Sequence, residues 1–154
     1  MSVEERLVAA GYPLPAAATP VGAYVPAVRA GSFVYTSGQL PSEEGRLADR
    51  FKGKVGATVS AETAREAAAR CALNALAAVK ALIGDLEQVE RVVKVVGFVA
   101  STPDFTAQPD VVNGASELLL AAFGEAGRHA RSAVGMASLP RDTCVEVEII
   151  VQVR

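Results

Sequence analysis

Three short stretches of the 154-residue chain carry residue types that can do chemistry. In His129-Ala130-Arg131-Ser132-Ala133-Val134 an arginine interrupts an apolar, strand-like run. A guanidinium there is costly unless it is paired or used, and its planar fork suits a carboxylate or a phosphate. The plain alternative is an ion pair with an internal acid at the start of a strand. Thr36-Ser37-Gly38-Gln39 ends another strand-like run. Small residues at that point let a ligand approach the backbone, although an ordinary strand exit reads the same way. Glu146 and Glu148 alternate with valines and therefore share one face of a strand. A buried glutamate there can orient a water or accept a proton, whereas a solvated one forms ion pairs. Asn113 falls on a helical pattern, where spacing leaves open a surface role or an interfacial hydrogen bond.

Other chemistries find no support. No nucleophile elbow, phosphate-binding glycine loop or dinucleotide fingerprint occurs. Cys71 and Cys144 lack a CxxC or Cys/His spacing, which argues against structural zinc, and Cys71 reads as a small buried residue. His129 has no metal-partner spacing and is read as non-catalytic. The net charge of −2 and the absence of a basic run argue against general binding to a phosphate backbone. No stretch approaches the roughly 20 apolar residues of a membrane span. Glu4, Glu5 and Arg6 interrupt any apolar leader, so the expectation is a soluble cytoplasmic protein.

The elements that must position these residues follow from periodicity and caps. Ser2 to Ala10 reads as a short helix with a Ser2/Glu5 capping box, followed by a proline-rich arm to Pro20. Tyr24 to Arg29 and Phe33 to Ser37 read as a hairpin, and Pro41 to Gly56 as a loop with room for a short edge strand. Ser60 caps a helix to Ile83, with Ala64, Ala68, Cys71, Ala75, Val79 and Leu82 at helical spacing. Arg91 to Ser101 is apolar on both faces and should be a central strand. Pro109 to Phe123 reads as a second long helix. His129 to Leu139 and Cys144 to Val153 read as the last two strands. This order suggests an α+β sandwich with both long helices on one face of a mixed sheet. The other face would remain apolar and invite self-association with cyclic symmetry. Residues 1–20 read as an appendage to a single domain over 21–154.

Taken together, several segments resemble the Rid family (YjgF/YER057c/UK114, RidA-like). They are Val21-Gly22-Ala23-Tyr24-Val25, Val34-Tyr35-Thr36-Ser37-Gly38-Gln39-Leu40-Pro41, Asp85-Leu86 before Val92-Val93-Lys94, Asn113 on its helix, Ala130-Arg131-Ser132, and Leu139-Pro140 before Val145-Glu146-Val147-Glu148. The similarity runs from about Val21 to Val153. It implies a chorismate-mutase-like domain with a mixed six-stranded sheet, and a homotrimer with clefts between subunits. It also implies a cofactor-free reaction, the hydrolysis of 2-imino acids and their enamines to 2-keto acids and ammonia. In that scheme Arg131 grips the substrate carboxylate with help from the Ala133 backbone N–H. Glu146 positions the attacking water, Ser37 and the Gly38 backbone line the imine end, Tyr24 closes the cleft and Asn113 supports. One departure stands out: many relatives carry a cysteine where Ala133 stands, so any role for that thiol is absent here. A non-enzymatic carboxylate binder or sensor on the same cleft is the alternative. An endoribonuclease or translation inhibitor is disfavoured by the acidic charge.

Overall fold

The computed structural model describes residues 1–154. Three α-helices, α1 (Val3–Ala9), α2 (Ala61–Ile83) and α3 (Gln108–Phe123), accompany five strands. The strands are β1 (Ala27–Ala30), β2 (Phe33–Thr36), β3 (Val89–Ala100), β4 (Ala130–Met136) and β5 (Val145–Val153). They form one sheet in the order β1-β2-β5-β3-β4. Only β3 and β4 run parallel, joined by the α3 crossover; the other pairings are antiparallel. The sheet has five strands, not the six expected. Residues 41–56 contribute only isolated bridges, such as Glu43 with Arg46 and Lys52 with Thr143, and pair with no strand over any length.

Caps and composition explain the long elements. The Ser60 hydroxyl accepts the Thr63 N–H at the start of α2, and Gly84 closes its end at φ 88°. Small side chains line the buried face of α2, from Ala64 through Ala68, Cys71 and Ala75. They let α2 lie close to both the sheet and α3. At Gly114 of α3 the two helices come so close that a Cβ would sit 2.0 Å from the Arg65 carbonyl oxygen. Ser2 and Glu5 form the expected capping box on α1, and Val3 and Leu7 are buried in the common core.

β3 lies between β5 and β4, as its two apolar faces require. In β5 the residues Val145, Val147, Ile149, Val151 and Val153 are all buried beneath the helices, alternating with half-buried Glu146, Glu148 and Ile150. The opposite face has no helix over it. On that side Val28 and Tyr35, paired on β1 and β2, and Val134 on β4 at the other edge of the sheet are each more than two-fifths exposed, with Glu146, Glu148 and Lys94 on the strands between them.

Candidate functional site

The strand register places the candidate residues in two groups. Arg131 stands opposite Val95 on edge strand β4, on the side covered by α3. Its half-buried side chain turns onto that helix, where Nη1 donates to Asn113 Oδ1 at 2.7 Å and to Ser116 Oγ at 3.2 Å. Both partners are neutral, and no carboxylate lies within ion-pair distance of Arg131. Nη1 alone is engaged within the chain. Nε and Nη2, which form the other edge of the guanidinium, keep three N–H groups free for a bidentate acceptor. Ala133 follows two residues later on the same face and packs against the core.

Ser116 and Asn113 lie three residues apart on α3 and so share its face toward β4. Ser116 continues the network. Its hydroxyl lies 2.9 Å from His129 Nε2, and His129 Nδ1 lies 2.6 Å from the Gly127 carbonyl. A carbonyl only accepts, so the imidazole proton is on Nδ1 and Nε2 accepts from Ser116. Burial lowers the His129 pKa below the ordinary 6.5; the Gly127 hydrogen bond opposes this and the Arg131 charge adds to it.

The second group gathers around the end of β2. Ser37 Oγ donates to the Val25 carbonyl at 2.6 Å, and the Ser37 N–H to the Pro26 carbonyl at 2.8 Å. These bonds hold the Ser37-Gly38 corner against the segment that carries Tyr24. Gln39 bridges to Val147 of β5. This pairing sets Gly38 directly against Glu146: a Cβ on Gly38 would lie 2.8 Å from the Glu146 carboxyl carbon. Any larger residue would displace that carboxylate. Burial, and secondarily Glu148, raise the Glu146 pKa above the ordinary 4.5. Beside this corner a cleft of about 280 Å³ is lined by Tyr24, Gly38, Gln39, Asn74 and Arg141, among others.

Ser37, Gly38 and Glu146 therefore come together, with Tyr24 at the adjoining cleft, while Arg131 joins Asn113. The two groups do not meet within one chain. Glu146 pairs with Phe98, three residues along β3 from the Arg131 level, and stands on the face away from the helices. Sequence reasoning missed Ser116 and set His129 aside. The spacing of Ser116 three residues after Asn113 was the available signal, but it gains meaning only once β4 is known to lie beside α3. No group of three His, Cys, Asp or Glu side chains converges to hold a metal ion. No helix is long and apolar enough to cross a membrane.

Comparison with known proteins agrees with this architecture. Residues 4–152 match the family model described as "YjgF/chorismate mutase-like, putative endoribonuclease". Protein TCP17 of Trypanosoma cruzi is 46% identical over 143 residues, which cover 92% of this chain and 88% of that protein. A 2-iminobutanoate/2-iminopropanoate deaminase of Dermatophagoides farinae is 33% identical over 137 residues, 89% of this chain and 91% of the relative. Among solved structures, protein Atu1372 of Agrobacterium tumefaciens, of unknown function, superposes with a TM-score of 0.91 at 50% identity, covering 99% of this chain and 92% of that one. The family match across nearly the whole chain, with the five-stranded α+β fold that carries it, makes this protein a member of the YjgF (Rid) family.

Proposed function

We propose that the protein hydrolyses 2-imino acids, together with their enamine tautomers, to 2-keto acids and ammonia. The observation that carries this reading is the Arg131 guanidinium, half-buried, held by two neutral acceptors and open along its Nε–Nη2 edge. That arrangement fits the capture of a planar carboxylate. The similarity to a deaminase at 33% identity supports the reaction class.

The reaction suits the groups present. The imine carbon is already electrophilic, so positioning and proton transfer suffice. Glu146, with its carboxyl held half-buried against the Gly38 backbone, takes a proton from water as the oxygen adds to the C=N carbon. The same carboxyl returns that proton to the nitrogen. The carboxylate then carries the hydroxyl proton of the resulting carbinolamine to its nitrogen, the C–N bond breaks as the C=O bond forms, and ammonia leaves behind the 2-keto acid. Ser37 and the Gly38 backbone line the imine end, and Tyr24 flanks it. Because Arg131 and Glu146 face opposite sides of the sheet, a complete site needs a second copy of the chain, with one copy giving Arg131 and the other Glu146. The uncovered face, which carries exposed Val28, Tyr35 and Val134 beside Glu146, offers the contact, and a cyclic homotrimer is the assembly this reading expects.

The test is ammonia and keto-acid release from freshly generated 2-iminopropanoate and 2-iminobutanoate. The proposal expects rates above spontaneous hydrolysis, rising linearly with protein concentration. Keto-acid binding without any acceleration would replace the enzyme with a binder.

A further inference from the structure

Arg131 is useful for capture only if its free edge points outward in one orientation. An unbranched side chain at the margin of a sheet has several rotatable bonds and many orientations to lose. Asn113 alone is a single tether, about which the guanidinium can swing. The second tether is Ser116, and its hydroxyl has a proton of its own to place. Once Oγ accepts from Arg131 Nη1, that proton needs an acceptor, and the only one in reach is His129 Nε2 at 2.9 Å. The imidazole is in turn fixed by Nδ1–H donating to the Gly127 carbonyl at 2.6 Å. The bonds therefore all run one way, from Arg131 to Ser116 to His129 to the main chain. Gly127 is itself buried at the end of the turn that follows α3, and a Cβ there would strike the Leu119 carbonyl at 2.3 Å. The relay ends on buried, closely packed backbone.

We propose that Ser116 and His129 are positioning residues, which hold the Arg131 guanidinium in the orientation that accepts a substrate carboxylate. This rests on the assignment of Arg131 as the carboxylate-binding group. The groups that face His129 fit the role. α3 presents neutral Ser116, the preceding turn presents the Gly127 carbonyl, and Arg131 is the one charge whose field reaches the ring. Neighbouring Arg128 is paired with Glu125 at 3.0 Å.

The experiment has two arms on the full-length protein. In the first, 15N NMR of the imidazole and of the arginine side chains reads the relay without any substrate. The expected result is the Nδ1–H tautomer of His129 at neutral pH and an Arg131 guanidinium whose rotation is slow in the wild type and faster in Ser116→Ala. An Nε2–H tautomer, or rotation indifferent to Ser116→Ala, overturns the proposal whatever the catalytic result. In the second arm, steady-state hydrolysis of 2-iminopropanoate is compared among Ser116→Ala, His129→Leu and His129→Gln. Ser116→Ala and His129→Leu should raise KM by roughly tenfold, the scale of one lost hydrogen bond, with kcat nearly unchanged. His129→Gln, which can return an acceptor to the Ser116 hydroxyl, should recover most of that loss. A fall in kcat at constant KM, tracking the folded fraction, would reduce both residues to structural ones. A wild type that hydrolyses nothing while the NMR signatures hold sinks the imine-hydrolase reading and leaves the relay standing.

Discussion

Asn113 Oδ1 accepts from Arg131 Nη1 at 2.7 Å, so a neutral amide occupies the place where a carboxylate would close an ion pair. The distinction decides what the arginine can do. A carboxylate partner would neutralise the guanidinium and leave little for an incoming acid, whereas an amide orients it and preserves its charge. Asn113→Asp therefore turns a tether into a competitor. The variant should fold with a Tm at or above that of the wild type, yet lose at least about tenfold in keto-acid affinity, since charge-assisted bonds are roughly twice as strong as neutral ones. Calorimetric titration with pyruvate beside a thermal melt checks both halves.

Glu146 should leave its mark on the pH–rate profile. Burial raises its pKa above 4.5, and the proposed chemistry needs the carboxylate form. Hence kcat should fall on acidification at a pH above the ordinary glutamate range, and Glu146→Gln should remove most of the rate together with that acid limb. The same shift means that the fold favours the protonated carboxyl, so an uncharged amide is tolerated. Glu146→Gln should melt no lower than the wild type at neutral pH, where the carboxylate is the costly form. An acid limb that persists in the variant would assign it to another group.

His129 predicts an effect of acid on stability, with a definite sign. Its folded-state pKa lies below the ordinary 6.5, so the unfolded chain takes up the proton first as pH falls. Stability from this residue is complete above about 6.5 and is lost progressively below it, down to the depressed folded value. Chemical denaturation across that window should show a decline that His129→Gln flattens. An identical decline in the variant would place the acid sensitivity elsewhere.

How much of this was legible in the residues varies with how local the cause is. The Ser60 cap, the alanine spacing and Gly84 fix α2 within a turn of chain, and the alternation of Val145, Val147 and Ile149 fixes the buried face of β5. The apolar run of β3 specified a central strand without naming its neighbours. The sixth strand failed because residues 41–56 hold polar and glycine residues that pair only at single bridges. Arg131, Glu146 and Ser37 stood out as polar groups in strand contexts. The separation of Arg131 from Glu146 onto opposite faces depends on the register across β4, β3 and β5, which no local pattern encodes. The Ser116–His129 pair was hidden for the same reason: the two residues are thirteen apart in sequence and meet only because the α3 crossover returns beside β4.

The opposite-face arrangement also predicts complementation. Arg131→Ala and Glu146→Gln should each be nearly inactive alone. If every site takes Arg131 from one copy and Glu146 from another, chains mixed in equal amounts, unfolded and reassembled should recover activity. Random assortment would restore about a quarter of the sites. Recovery no greater than the sum of the two separate variants would place both residues in a site built by one chain.

The most direct test of the central claim is kcat/KM for 2-iminopropanoate in the wild type and in Arg131→Ala, with folding verified by circular dichroism and assembly by light scattering. The account predicts that removing this half-buried cation costs transition-state binding of roughly 2–5 kcal/mol, a loss of about thirtyfold or more, in a protein that still folds and assembles. A folded, assembled Arg131→Ala variant with wild-type kcat/KM would contradict it.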